Sequence, residues 1–246
     1  MKGERVNGDG NRHYAPGKPA ADATNDPIQH AIDNGYVIAE TRDDLLNAAP
    51  GQKVFAYSKN YIDGSWALPY EMDRDPQDVS IAEYTAQGIR LLDNPNGFFM
   101  MVEGGKIDWA CHANDAMAAI QDTVAFDDAV AVALDFYEQH PNDTLIVVTG
   151  DHECGGLTLG FAGTAYETAY EILNGQTMSY EKFDWTLLSE HKANFGVEPW
   201  DNATDMNQDI KDKMQTAFGL DYATLSDFEK ELLENAYDKS MGGESV

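Results

Sequence analysis

Two stretches of this sequence decide its fold: residues 97–112, GFFMMVEGGKIDWACH, and residues 144–152, TLIVVTGDH. Each begins with a continuous apolar run, which is typical of a strand covered on both faces. Between them, over residues 113–139, apolar side chains recur at steps of three, four and occasionally six residues, which predicts one long amphipathic helix. A strand, a long helix and a second strand form a βαβ unit, so the sequence predicts two parallel strands in one sheet.

Shorter elements before this unit are predicted from turn and capping residues. Asp26-Pro27 and Asn34-Gly35 are the start and stop signals of a helix. Ser80 and Glu83 have the spacing of a capping box at the start of another helix. The predicted elements are a loop over residues 1–25, helices over 27–33, 41–48 and 81–93, and strands over 36–39 and 53–57.

Residues 161–246 differ in character, since they are acidic and contain no run typical of a central strand. Helical stretches are predicted there over residues 179–193, 205–217 and 226–239. The sequence therefore predicts an α/β fold with a mostly parallel sheet flanked by helices. We expect residues 1–160 to form this α/β domain and residues 161–246 to form an acidic helical insertion or cap.

The composition excludes several classes of function. Of the 246 residues, 43% are hydrophobic, which is enough for a packed core and argues against wholesale disorder. The formal net charge of −27 repels the phosphates of nucleic acids and of anionic lipids, so neither is an expected partner. A phosphate ester would also be repelled, unless bound cations invert the local potential. No apolar run reaches the length of a membrane span.

Side chains that can bind metal ions follow both apolar runs. Glu103, Asp108 and His112 follow the first run, and Asp151 and His152 follow the second. Because the carboxyl ends of parallel strands meet at one edge of a sheet, we expect these side chains to converge there. Asp108 and His112 are four residues apart where the long helix is expected to begin, so one helix face can present both to one cation. The side chains of the adjacent Asp151 and His152 diverge on a regular strand, which favours ligation of two different cations.

The residue types indicate which cations would bind. Carboxylate and imidazole ligands suit zinc, whereas an all-oxygen environment around Glu103 would suit magnesium. Two neighbouring metal ions can clamp the attacking and leaving oxygens of a phosphoryl transfer. Cys111 and Cys154 lie beside candidate ligands, although their spacing matches no metal knuckle or disulfide framework. The simplest interpretation of each cysteine is a small buried residue, and zinc ligation by either stays open.

Residues 103–115, EGGKIDWACHAND, and residues 144–157, TLIVVTGDHECGGL, closely resemble the alkaline phosphatases. The resemblance is strongest over residues 80–160 and extends more loosely back to GNRHY at residues 10–14. It implies an exported phosphomonoesterase, usually homodimeric, with two zinc ions and one magnesium ion.

Carried over by position, the resemblance gives each candidate ligand a metal. Glu103 resembles the magnesium ligand, Asp108 and His112 resemble ligands of the first zinc, and Asp151 and His152 resemble ligands of the second zinc. Trp109 stands where some family members have Lys or His. We expect Trp109 to line the phosphate pocket and to alter contacts with phosphate and the affinity for magnesium.

The sequence also departs from the family. Family members attack phosphate with a Ser or Thr in a D-S-A-like turn, and no serine of this chain has that context. The basic residue expected after the nucleophile is missing too. In family members a further histidine ligand of the first zinc comes from a late H-T-G-like motif, and none of the six histidines here has that setting. His140 and His191 are expected at the surface. We therefore expect a chain truncated at both ends that hydrolyses phosphate monoesters barely or not at all by itself.

The sequence thus favours part of a metal-dependent phosphomonoesterase acting on a phosphate monoester. The expected protein partner is a second copy of the chain or a complementing segment of the same enzyme. Two alternatives stay open: a phosphodiesterase or sulfatase of the same superfamily, and a non-catalytic fragment that binds divalent metal ions. The resemblance implies a periplasmic or secreted location, although residues 1–14 contain no apolar leader segment.

Overall fold

The computed structural model divides the chain into two compact units. Unit 1 comprises Met1–Ile107 and Gln121–His152, and unit 2 comprises Asp108–Ile120 and Glu153–Val246. The predicted domain boundary near residue 160 remains a prediction. The structure describes residues 4–6, 12–14, 27–58, 68–158, 160, 165, 167–196 and 205–242.

Unit 1 begins with two short strands, β1 (Glu4–Val6) and β2 (Arg12–Tyr14), which pair antiparallel with Arg5 opposite His13. The prediction of a loop over residues 1–25 is therefore wrong at these two strands. The intervening sequence NGDGN contains Asn-Gly and Asp-Gly, which are strong hairpin signals. Because each strand has only three residues, no hydrophobic alternation marked them.

A parallel pair of strands, flanked by helices, carries the core of unit 1. Strand β3 (Val37–Ala39) pairs with β4 (Val54–Ala56), with Ile38 opposite Phe55. The helices beside them are α1 (Pro27–Asp33), α2 (Arg42–Asn47) and α3 (Ile81–Leu92). The buried core consists of Ala39, Leu45, Ala48, Val79 and Leu91. These elements lie where the sequence predicts them, and the α/β fold class is confirmed.

Capping boxes start two of these helices. At α3, the Ser80 hydroxyl accepts from the backbone N–H of Glu83, and the Glu83 carboxylate accepts from the backbone N–H of Ser80. Thr41 and Asp44 form the same reciprocal pair at α2. Each box satisfies N–H groups that no helical carbonyl can reach, so these helix starts are set by local sequence.

The two apolar runs of the predicted βαβ unit differ from the prediction. Residues 97–103 and 144–149 form no strand in this structure. Their side chains alternate along much of each run between half-buried and exposed, and Phe99 and Leu145 are 88% and 86% exposed. A period of two is that of a strand with one packed face. Within the described residues, however, neither run has a neighbouring strand to complete a hydrogen-bonded ladder, so the expectation of strands covered on both faces is wrong.

The predicted long helix is preceded by a separate short one. Helix α4 (Gly105–His112) ends before Asn114, which adopts a left-handed φ of 55°, and α5 (Ala116–Gln139) follows. A short polar side chain such as that of asparagine tolerates this conformation better than most residues. The expectation that Asp108 and His112 begin the long helix is therefore corrected, because both lie on α4.

The regular structure of unit 2 is helical in its described residues, as predicted for the region after residue 160. Its core joins α8 and α9 through Met206, Ile210, Met214 and Tyr237. Its helices are α6 (Tyr180–Phe183), the π-helical turn Asp184–Leu188, α7 (Ser189–Phe195), α8 (Gln208–Phe218) and α9 (Asp227–Met241). Among the described residues, no helix combines the length and apolar character needed to cross a bilayer.

His191 lies inside this helical region rather than at its surface. Its side chain is fully buried, with Nδ1 2.7 Å from Asp209 Oδ2 and Nε2 3.0 Å from the Tyr237 hydroxyl. The ring also stacks on Phe195. The prediction of a surface histidine is therefore wrong, because Asp209 on α8 and Tyr237 on α9 satisfy both ring nitrogens. His140 is exposed, as predicted.

Candidate metal centre

Helix α4 brings Asp108 and His112 together. The two residues are one helical turn apart, and Asp108 Oδ1 lies 3.5 Å from His112 Nε2. The His112 side chain is exposed and Asp108 is half-buried, and the Asp108 Oδ1 atom that faces His112 is itself buried. The predicted convergence of these two side chains on one helix face is therefore present in the structure.

Cys154 joins this pair within unit 2. One donor atom from each of Asp108, His112 and Cys154 lies within 4.8 Å of the others. The Cys154 thiol also lies 3.9 Å from the backbone carbonyl oxygen of Asp108. Both cysteines are half-buried rather than fully buried. Partial burial, together with the neighbouring Asp108, raises the pKa of the Cys154 thiol, which is therefore protonated at neutral pH when no cation is bound.

Two glycines place Cys154 against α4. Gly155 has a φ of 77°, and a β-carbon there would lie 2.7 Å from the backbone oxygen of Cys111. Gly156 has a φ of 64°, and a β-carbon there would meet nothing within 4 Å. Both positions need the left-handed conformation that glycine adopts without steric penalty. At Gly155 there is also no room for a side chain.

Asp151 and His152 lie in a bend of unit 1. Their side chains do not diverge as predicted, because Asp151 Oδ2 lies 3.8 Å from His152 Nε2. The Asp151 carboxylate also accepts from the backbone N–H of His152 at 3.1 Å. The expected divergence depended on regular strand geometry, and these residues follow a run that is not a strand. The Asp151 side chain is 92% exposed, so it is accessible to a ligand.

Glu103 lines a cavity of about 60 Å³ in unit 1. The cavity is also lined by Glu71, Arg74, Lys106 and Asp122. The Arg74 guanidinium binds both carboxylate oxygens of Glu71, at 2.7 and 2.8 Å. Carboxylates and two cationic groups therefore share these surroundings, rather than the oxygen-only environment expected around Glu103.

Lys106 and Asp122 are functional candidates that the sequence did not reveal. Lys106 is buried, and its ammonium lies 4.1 Å from the centre of the Tyr70 ring, which is also buried. Asp122 accepts from the backbone N–H of Glu71 at 3.1 Å. The pKa of Asp122 is raised to about 6, chiefly by burial. The carboxylates of Glu71 and Asp73 also raise this pKa, whereas the Glu71 N–H and the Lys106 ammonium lower it. Lys106 follows two glycines and Asp122 lies inside α5, and neither position stands out in the hydrophobic pattern of the sequence.

Asp115 is a second residue whose role the sequence did not show. It precedes α5, and its Oδ1 accepts from the backbone N–H of Ala118 at 3.1 Å. The same carboxylate accepts from Gln176 Nε2 at 2.7 Å and from the backbone N–H of Tyr180 at 2.8 Å. One buried aspartate thus joins the segment between α4 and α5 to the start of α6 within unit 2. Its position directly before a helix was the available signal.

The predicted site residues divide between the two units. Glu103, Asp151 and His152 belong to unit 1, and Asp108 and His112 belong to unit 2. Trp109 lies on α4 beside Asp108 and is exposed. Within unit 2, the donor set of carboxylate, imidazole and thiol is of the kind that zinc binds.

Several sequence relatives of this chain are alkaline phosphatases. A model of the Alkaline phosphatase family matches residues 10–229. The Repressible alkaline phosphatase of Saccharomyces cerevisiae is 32% identical over 186 residues, which cover 68% of this chain and 32% of that protein. Alkaline phosphatase 4 of Bacillus subtilis is 38% identical over 117 residues, which cover 47% of this chain and 25% of that protein. The chain thus spans about a third or less of these curated relatives.

Solved structures show the same fold. The alkaline phosphatase of Thermus thermophilus has a TM-score of 0.62 at 23% identity, over 89% of this chain and 43% of that one. The cold-active alkaline phosphatase of a psychrophilic Shewanella species has a TM-score of 0.62 at 24% identity, over 88% of this chain and 50% of that one. These likenesses establish the fold, and the family model covers most of the sequence. The chain therefore belongs to the alkaline phosphatase family.

Proposed function

We propose that this chain is the metal-binding part of a zinc- and magnesium-dependent phosphomonoesterase. The observation that carries the proposal is the Asp108–His112 pair, 3.5 Å apart on one face of α4, inside the region that matches the family. Asp151 and His152 supply a second accessible carboxylate–imidazole pair. Glu103 supplies a further carboxylate for magnesium.

The residues of this chain have separate roles in the proposed reaction. Bound divalent cations would polarise the phosphate ester and stabilise the leaving oxygen. Asp108 and His112 hold one cation position, and Asp151 and His152 hold another. Trp109 lines the phosphate pocket and offers one N–H donor without a charge, so phosphate is held less strongly there than by a lysine. Since the net charge of the chain is −27, the anionic substrate depends on the bound cations for attraction.

Calorimetric titration with zinc tests the metal-binding role. The chain is expected to bind zinc saturably, and an Asp108→Ala/Asp151→Ala double variant is expected to lose that binding. Circular dichroism of the variant checks that the loss is not unfolding. A folded chain that binds no zinc, or a double variant that binds as well as the parent, would contradict the proposed site.

The nucleophile of the proposed reaction comes from a complementing segment of the same enzyme, because no serine of this chain has the expected context. The alternating exposure of residues 97–103 and 144–149 supports such a partner, since each run exposes one face and, within the part of the chain that the structure describes, has no neighbouring strand. A second copy of this chain is the other partner that such a surface could take. Family membership also supports a periplasmic or secreted location.

Co-expression with a family segment that contains the D-S-A-like turn tests this arrangement. The chain alone is expected to release no phosphate from a monoester, and the complemented enzyme to do so at higher rates than from a diester or sulfate ester. Val147→Lys is expected to abolish complementation, whereas Leu232→Lys, at another exposed apolar position, on α9, is not. Sustained turnover by the chain alone, abolished by Asp151→Ala, would refute the need for a partner. Sedimentation of the chain alone distinguishes a dimer of this chain from a chain that pairs only with the complementing segment.

A further inference from the structure

A carboxylate, an imidazole and a thiol lie together in unit 2. Asp108 and His112 are 3.5 Å apart, and Cys154 contributes a sulfur within 4.8 Å of both donor atoms. These are three chemically different donors from two separate segments of the chain. Zinc accepts all three types in protein sites.

The backbone around Cys154 is shaped for this approach. Gly155 lies so close to α4 that a β-carbon would be 2.7 Å from the Cys111 oxygen and 3.1 Å from its α-carbon. The Cys154 thiol itself lies 3.9 Å from the Asp108 carbonyl oxygen. The segment that carries the sulfur therefore packs directly on the helix that carries the other two donors.

We propose that Cys154 is a third protein ligand of the zinc ion held by Asp108 and His112. This inference rests on the proposed function and adds a thiolate to that site. A tetrahedral zinc with bonds of about 2.0–2.3 Å separates its ligand atoms by roughly 3.3–3.8 Å, so the set closes by about 1 Å through side-chain rotation. On binding, the thiol proton leaves to the buffer and the sulfur lone pair forms the bond to the metal.

Cys111 is the matched comparison within the same site. It lies on α4 directly before His112, and like Cys154 it is half-buried. Cys111 is three residues from Asp108 and points about 100° away from His112, so it is the nearest alternative sulfur on α4. Among the described residues, it is not a member of the donor cluster.

Titration of the full chain with cobalt(II), in a buffer without thiols, tests the ligand directly. Cobalt bound to a thiolate gives an intense near-ultraviolet charge-transfer band, whereas oxygen and nitrogen ligands give only weak visible bands. We expect the charge-transfer band in the parent chain and in Cys111→Ser, and its loss in Cys154→Ser. Zinc affinity should fall roughly 100-fold in Cys154→Ser, since even the loss of an outer hydrogen-bond partner weakens binding about 10–100-fold.

The outcomes separate this inference from the proposed function. Weak visible bands without the charge-transfer band in the parent chain would leave Asp108 and His112 as ligands and refute ligation by Cys154. A band that persists in Cys154→Ser and disappears in Cys111→Ser would assign the sulfur to the other cysteine. No cobalt binding to a chain that is folded by circular dichroism would refute both the thiolate and the metal site.

Discussion

Replacement of Gly155 by alanine tests whether the close approach of this segment to α4 builds the site. The alanine must keep a φ near 77°, which costs about 1–2 kcal/mol for an L-residue. Its β-carbon would also lie 2.7 Å from the Cys111 oxygen, and overpacking of this kind costs typically about 1–3 kcal/mol. We therefore expect a loss of about 2–5 kcal/mol in the free energy of unfolding.

Gly156→Ala is the control for this experiment. Gly156 has a similar φ of 64°, but a β-carbon there meets nothing within 4 Å. The control should therefore lose only the conformational part, about 1–2 kcal/mol. Urea unfolding followed by far-ultraviolet circular dichroism measures both variants, and cobalt titration should show a weaker charge-transfer band in Gly155→Ala alone. Equal stability and equal metal binding of the two variants would refute the close packing of this segment on α4.

Three further predictions concern buried polar groups. Asp115→Ala should lower the free energy of unfolding by about 3 kcal/mol, because a helix cap and the acceptor of two half-buried donors are lost together. A loss of under 1 kcal/mol in chemical denaturation would contradict this role. Asp122→Asn should stabilise the chain by about 1.5 kcal/mol at pH 7 and by nearly nothing at pH 4, after allowance for partial solvent access. The reason is that the pKa of Asp122 is raised from 3.8 to about 6 in the folded state, so the ionised carboxylate destabilises the fold increasingly as the pH rises through this range. Exposed Asp127→Asn on the same helix is its control, and a pH-independent effect of Asp122→Asn would refute the prediction. His191→Phe keeps an aromatic ring but removes the hydrogen bonds to Asp209 and to the Tyr237 hydroxyl. Thermal unfolding should therefore show that the free energy of unfolding falls by about 1–3 kcal/mol, and Tyr237→Phe should reproduce part of this decrease. Unchanged stability of His191→Phe would show that the network contributes little.

Features with local causes could be predicted from the sequence. The capping boxes at Thr41 and Ser80 follow from residues three apart, and they fix where α2 and α3 begin. Asp108 and His112 meet because a helix places residues four apart on one face, whichever helix carries them. The same local rules identified the helices of unit 2.

Features that depend on distant residues could not be predicted in the same way. His191 is buried because Asp209 and Tyr237, on two other helices, satisfy its nitrogens, and no pattern around residue 191 encodes those partners. Cys154 approaches Asp108 through a glycine turn whose fit depends on the backbone of Cys111. The exposure of residues 97–103 and 144–149 has the period of a strand. A strand also requires a neighbouring strand to pair with, and the sequence of the run itself does not encode that neighbour.

The π-helical turn at Asp184–Leu188 constrains how this region can change in length. It separates the buried cap Ser179 from the buried His191 on one helical path. Because each helical residue advances by about 100°, removing one residue from the turn would rotate these two positions apart by about that angle. One polar side chain would then leave the core and abandon its partners. Single-residue gaps should therefore be rare here among close homologues.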